Sequence, residues 1–329
     1  MLTLPNKGFH RVRGWAGAAP SLLVLFLLIV YPIASLLVQI GLPHLFDMKM
    51  SFAPSIKPFI QVFTAKGNLL AVLNSLWIGL LAAVFATILG GITALGSVKA
   101  PNWLRPVLNV VVWVVFFTPS YVIAEGWMVL MQDGGILAQL FHLQNGWSAW
   151  FFTRFGLVLA MGFRYFPFVH MAMEQAIANV GTEFLNAGRM LGASRALVFR
   201  KILVPLLTPA LLAGGSIAFA EGFGDFGFAA AITPQTHIPL ISYQIYSSLN
   251  EAPVNYSAAA GLSLLLILVT GGGGLVVANV VAWEKSVRHR LYRVESQCAT
   301  ENKAVFIRDR VKSCNCTHCS GIAARLHIY

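Results

Sequence analysis

Gly192-Ala-Ser-Arg-Ala-Leu-Val-Phe-Arg-Lys-Ile-Leu-Val-Pro205, GASRALVFRKILVP, places Arg195, Arg200 and Lys201 between two long apolar runs. A helical hairpin needs only a few polar residues to reverse direction, so a segment of this length has its own task. Upstream, Thr182 is placed to cap a helix whose first turn holds Glu183, at the positive end of the helix dipole. Phe184, Leu185, Ala187, Gly188 and Leu191 then recur on one side, giving that helix an apolar face. Gly192 reads as its left-handed stop, Ser194 as the cap of a second short basic helix, and Pro205 as the end of that helix near the next apolar run.

The flanking runs set the class. The chain has 329 residues, 57% hydrophobic and 11% charged, against about 25% charged in a soluble domain. A bilayer-crossing helix needs about 20 apolar residues. Six runs qualify: Pro20 to Ile40, Leu76 to Val98, Val107 to Val129, Gly156 to Ala178, Leu206 to Ala229 and Ser257 to Trp283. The expected fold is therefore an all-α membrane protein of six transmembrane helices. The first run is too long for a signal-peptide core and reads as an uncleaved anchor.

Lys and Arg give the orientation. With the N-terminus inside, the cytoplasmic segments hold Lys7, Arg11 and Arg13, then Lys99 and Arg105, then Arg189, Arg195, Arg200 and Lys201, then nine more after Trp283. The outer loops hold Lys49, Lys57, Lys66 and Arg154. Both termini are thus expected in the cytoplasm. The net charge of +11 is explained by this asymmetry, with no need for nucleic acid.

Three regions follow: a cytoplasmic segment over 1–15, a six-span domain over 16–285, and a cytoplasmic tail over 286–329. From Glu284 the tail has nine Lys/Arg against four Asp/Glu and too few periodic apolar residues for a core, so it is expected to be disordered. All four cysteines lie in it, in the reducing compartment. Cys314, Cys316, His318 and Cys319 offer soft ligands, but a structural zinc site normally needs a second C-x2-C pair, so no metal is expected. The second outer loop, Gln132 to Phe155, carries Phe141, Trp147, Trp150, Phe151 and Phe152 and reads as an aromatic belt on the outer membrane face.

With these residues in view, the chain resembles the permease subunits of bacterial binding-protein-dependent ABC importers. Their signature loop reads EAA, three residues, Gly, nine residues, Ile, one residue, Leu-Pro. Gly192, Ile202 and Pro205 stand at that spacing, Val204 replaces Leu, and Asn186-Ala187-Gly188 occupies the EAA position without its acid. Asn74-Ser75-Leu76, Thr118-Pro119-Ser120-Tyr121 and Asp225-Phe226-Gly227 resemble the ferric-iron type, in particular the first half of its double-length permeases.

The resemblance implies a subunit of the bacterial inner membrane that moves a solute inward and binds no cofactor. Its implied partners are cytoplasmic ABC ATPase subunits, a second permease half and a periplasmic or lipoprotein solute-binding protein. Ferric iron is the first choice of solute, with thiamine, phosphonate, sulfate and polyamine as alternatives. No Gly-x4-Gly-Lys-Ser/Thr phosphate loop occurs, in keeping with a non-catalytic subunit. The ATPase-coupling loop would comprise Glu183, Asn186, Ala187, Gly188, Gly192, Ala193, Ser194, Arg195, Ile202 and Pro205.

Four ionisable residues lie inside apolar runs: Glu125, Arg164, Glu221 and Asp225. Counting 1.5 Å per residue puts all four in the outer half of the bilayer, where they either pair or line the solute path. Arg164 is expected to pair with Glu221 or Asp225. Glu174, near the inner end of its run, reads as solvated at the interface. Pro119, Pro167 and the Gly271 to Gly274 run read as packing devices. The rival to an ABC permease is a secondary transporter or channel that uses the buried charges as an ion relay without ATPases.

Overall fold

A computed structural model describes residues 8–42, 57–144, 146–180, 190, 194–252, 254–275, 278–279 and 282. The chain divides into two units, 1–277 and 278–329, and the first carries the fold. Its described residues are helical throughout: α1 (Gly8–Gly41), α2 (Lys57–Thr64), α3 (Lys66–Lys99), α4 (Leu104–Phe117), α5 (Ser120–Met131), α6 (Ile136–Phe141), α7 (Arg154–Asn179), α8 (Arg195–Val198), a π-helical turn (Phe199–Leu203), α9 (Val204–Gly224), α10 (Phe226–Thr236) and α11 (Ile241–Asn250). A last helix, α12, spans Tyr256–Leu275.

Five of these helices are long and apolar enough to cross a membrane. A sixth crossing results if α4 and the segment Ser120–Phe141 count as one span, although they meet at 106°. The run over Val107 to Val129 is thus a bent pair rather than one regular helix, and Pro119 breaks it instead of serving only as a packing device. Pro119 has no N–H to donate and forces Thr118 out of the α region, so Thr118 takes φ −69°, ψ 127° and Pro119 φ −56°, ψ 142°. Pro167, by contrast, is absorbed within an unbroken, buried stretch of α7.

The core is α3 against α7 and α9. Along α3, Ala82, Ala86, Gly90 and Ala94 repeat every four residues and are all buried. Small residues at this period let helix backbones approach where lipid supplies no hydrophobic drive. The approach at Gly90 is close: a Cβ there would lie 2.7 Å from the Phe166 carbonyl oxygen and 2.7 Å from Val169 Cβ. The opposite face of α3 exposes Leu81, Val84, Ile88 and Ile92.

Three further boundaries differ from the sequence reading. The fifth run stops as a helix at Gly224, because Asp225 takes φ −65°, ψ 113° and begins α10. The second run begins as a helix at Lys66, adding helix to what reads as loop. Pro205 does not end the basic helix, since α8, the π turn and α9 are contiguous. The aromatic loop divides as well: Phe141 and Trp150 are exposed, as a belt requires, but Phe151 is buried and stacks on Trp127 at 5.6 Å.

Candidate functional site

Two chain breaks meet at one end of the bundle, one between α4 and α5 and one between α9 and α10. Gly227, two residues into α10, lies so close to α5 that a Cβ would sit 2.3 Å from Ser120 Oγ and 2.5 Å from the Tyr121 nitrogen. The Thr118 to Tyr121 and Asp225 to Gly227 motifs, distant in sequence, are therefore in contact.

Asp225 organises the second break. Its Oδ1 accepts the Phe228 N–H at 2.9 Å, an N-cap for α10. Its Oδ2 accepts the hydroxyl proton of Tyr165, which projects from α7 and is buried. Its backbone carbonyl accepts from Ser242 Oγ of α11 at 2.8 Å. The Asn74-Ser75 pair of α3 fixes the chain ahead of α11: Asn74 Nδ2 donates to the Pro239 carbonyl at 3.1 Å, and Ser75 Oγ accepts the Ile241 N–H at 2.8 Å. One capped break thus binds α3, α7, α10 and α11 together.

Arg164 does not make the expected ion pair. Successive helical residues project about 100° apart, so while Tyr165 faces Asp225, Arg164 faces α4 and donates from Nη1 to the Val115 carbonyl at 3.2 Å. That carbonyl belongs to the last turn of α4, the negative end of its dipole. The Arg164 Nε is buried and has no acceptor. Among the described residues the only approach within 4.0 Å between a basic side chain and a carboxylate is His170 Nε2 to Glu174 Oε2, at 3.9 Å. Glu221, one turn before Asp225, is exposed on α9, and Glu125 is half-buried on α5.

Tyr165 and His170 are missed by the sequence reading. His170 is buried with Nδ1 3.0 Å from Thr93 Oγ1 of α3. The spacing of His170 and Glu174, four apart on one helix face, is the signal that would have found it. Glu174 itself is 52% exposed. In the loop, Glu183, Asn186, Ala187, Gly188, Gly192 and Ala193 lie outside the described residues, as do the four tail ligands. Ser194 Oγ accepts the Leu197 N–H at 3.3 Å, capping α8.

Comparison with known proteins places this bundle. Residues 86–283 match the binding-protein-dependent transport system inner membrane component. The chain belongs to that family. It is 30% identical over 190 residues to the probable sulfate transport system permease protein cysT of Chlorella vulgaris, covering 56% of this chain and 70% of that one. It is 23% identical over 249 residues to the putative ferric transport system permease protein FbpB 1 of Haemophilus influenzae, covering 75% of this chain and 38% of that one. A crystal structure of a bacterial ABC transporter involved in import of the acidic polysaccharide alginate shares the fold, with TM-score 0.63 and 16% identity over 84% of this chain and 96% of its own. The family member described here is an inner membrane permease, a transport subunit rather than an enzyme.

Proposed function

We propose that residues 16–285 form the solute-translocating half of an ABC importer with both termini in the cytoplasm. Solute entry is driven by partner ATPase chains, and solute is delivered by an external binding protein to a pathway shared with a second permease half. The family match carries this reading. The continuous helix from Arg195 to Gly224 supports the coupling role of the Asn179 to Pro205 loop, because it joins the basic segment to the Asp225 break without a joint.

Ferric iron remains the first solute. Glu125, Glu221 and Asp225 set three carboxylates against one arginine in this half of the bundle, and hard trivalent cations favour oxygen ligands. A relative named as a putative ferric transport permease supports the same solute. Sulfate is the second reading, favoured by the buried Arg164 Nε without an acceptor and by the sulfate-permease relatives. Vesicles carrying the assembled transporter decide between them. Uptake of radiolabelled iron that needs ATP supports the first, and uptake of radiolabelled sulfate supports the second. Uptake that survives ATP depletion and follows the proton gradient would replace both with a secondary transporter.

A further inference from the structure

At the opposite end of the bundle from the Asp225 break, α3 and α7 end at Lys99 and Asn179. The turn from Ala100 to Trp103 carries the chain into α4, and Arg105 folds back over the end of α3. Its Nε donates to the Ser97 carbonyl at 2.9 Å and its Nη2 to the Val98 carbonyl. Those are two of the last carbonyls of a long helix, which have no partner within it and carry its negative dipole end. The guanidinium is thereby fixed in direction, and among the described residues Nη1 makes no hydrogen bond.

Arg105 lines a cavity of about 230 Å³ between α3, α4 and α7. Glu174 and Asn109 line it too, with Val98, Ile177 and Ala178 as its apolar part. Glu174 accepts no hydrogen bond and Asn109 makes none among the described residues. Arg105 and Glu174 do not approach within 4.0 Å, so the two charges line one space without neutralising each other. A cation, a carboxylate and a two-way amide around a small gap match a ligand with a negative group at one end and an ammonium at the other.

The position of the cavity selects the source of that ligand. It lies where two spans end, beside Lys99 and a Trp103 that is 70% exposed, and exposed tryptophan beside basic residues marks the membrane interface. Basic pockets between helices at the cytoplasmic surface are sites for lipid headgroups. We propose that this cavity binds the headgroup of an inner-leaflet aminophospholipid, phosphate on Arg105 and ammonium on Glu174, with Asn109 bridging. The leaflet assignment rests on the orientation proposed above, and the site is independent of the solute.

The test uses the full chain in nanodiscs of phosphatidylethanolamine and phosphatidylglycerol, with retained lipid counted by native mass spectrometry. The expected result is retention of phosphatidylethanolamine over phosphatidylglycerol by about tenfold, the worth of one charge-assisted hydrogen bond. Glu174→Gln should bring the ratio near one. Asn109→Trp, which takes up much of the cavity and breaks no hydrogen bond among the described residues, should abolish retention of both. Equal retention of the two lipids by the unaltered protein, or none, overturns the site. Displacement of retained lipid by glycerophosphoethanolamine, with equal binding of that molecule in lipid-free detergent, overturns the lipid as source in favour of a soluble zwitterion. Labelling of an Asn102→Cys variant from outside whole cells overturns the inner-leaflet assignment and leaves the headgroup preference to stand on the lipid ratio.

Discussion

Replacing Asp225 by alanine removes two side-chain hydrogen bonds at one point. The Phe228 N–H loses its cap, at about 1 kcal/mol for a helix N-terminus. The Tyr165 hydroxyl, on a side chain 1% exposed, loses its acceptor, and an orphaned buried donor costs about 1–3 kcal/mol. Asp225→Ala should therefore cost about 2–4 kcal/mol in total. Asp225→Asn keeps a capping oxygen for Phe228 but turns an amide N–H toward Tyr165, whose hydroxyl proton loses its acceptor, so it should lose the Tyr165 part alone, about 1–3 kcal/mol. Tyr165→Phe with Asp225→Ala leaves no orphaned hydroxyl, and the double variant should fall short of the sum of the singles by about 1–2 kcal/mol. The measurement is reversible unfolding in mixed micelles with increasing sodium dodecyl sulfate, followed by tryptophan fluorescence. Additivity within about 0.5 kcal/mol would refute the Tyr165 to Asp225 contact as a stabilising link.

Gly227→Ala should destabilise by about 1–3 kcal/mol in the same assay, because its Cβ would press on the Tyr121 backbone as well as on Ser120. Adding Ser120→Ala should not restore it, and full recovery would show that the two breaks are not in backbone contact. Arg164→Ala and Asp225→Ala should be additive within about 0.5 kcal/mol, since Arg164 bonds to Val115 rather than to the carboxylate. A larger coupling would reinstate the direct ion pair. In the loop, Gly192→Asp or Gly192→Val should leave the protein inserted but uncouple uptake from ATP hydrolysis, at about 1 kcal/mol of strain for a side chain in a left-handed stop. Normal coupled uptake in vesicles would sink that assignment.

Most spans were legible because length and hydropathy suffice to find them. Pro20 to Ile40 and Gly156 to Ala178 fall within α1 and α7 almost as read. The failures share a cause. Pro119 and Asp225 sit within apolar runs, and hydropathy averages across a single residue that breaks a helix. The depth argument brought Arg164 and Asp225 to the same level but gave no azimuth. Tyr165, adjacent to Arg164 and about 100° around α7, takes the carboxylate instead. Among the aromatic loop residues, composition could not separate the exposed Trp150 from the buried Phe151, because both sides of an interface accept an aromatic ring. The motifs that carried the resemblance were the better guide: Thr118 to Tyr121 and Asp225 to Gly227 meet at the two breaks, and Asn74-Ser75 holds the chain ahead of α11.

The π turn explains how a proline can stand at the base of a span without ending the helix. In a regular helix the Pro205 ring would collide with the Lys201 carbonyl and leave it without a donor. Here the Val204 N–H bonds to the Phe199 carbonyl, five residues back, and the widened turn makes room for the ring. The helix then runs unbroken from Ser194, its capping residue, to Gly224, about 45 Å at 1.5 Å per residue. At its far end Asp225 is tied to α7 through Tyr165 and to α11 through Ser242. Midway, Gly214 lies so close to α7 that a Cβ would be 2.7 Å from the Val169 Cα. A push on the basic segment therefore meets a rod seated against α7 along its length. Regular helix resists bending, so displacement at Ser194 must either travel to the Asp225 break as a rigid shift or be taken up where the hydrogen-bond ladder is irregular, in the π turn or at Pro209, which has no N–H to give the Pro205 carbonyl.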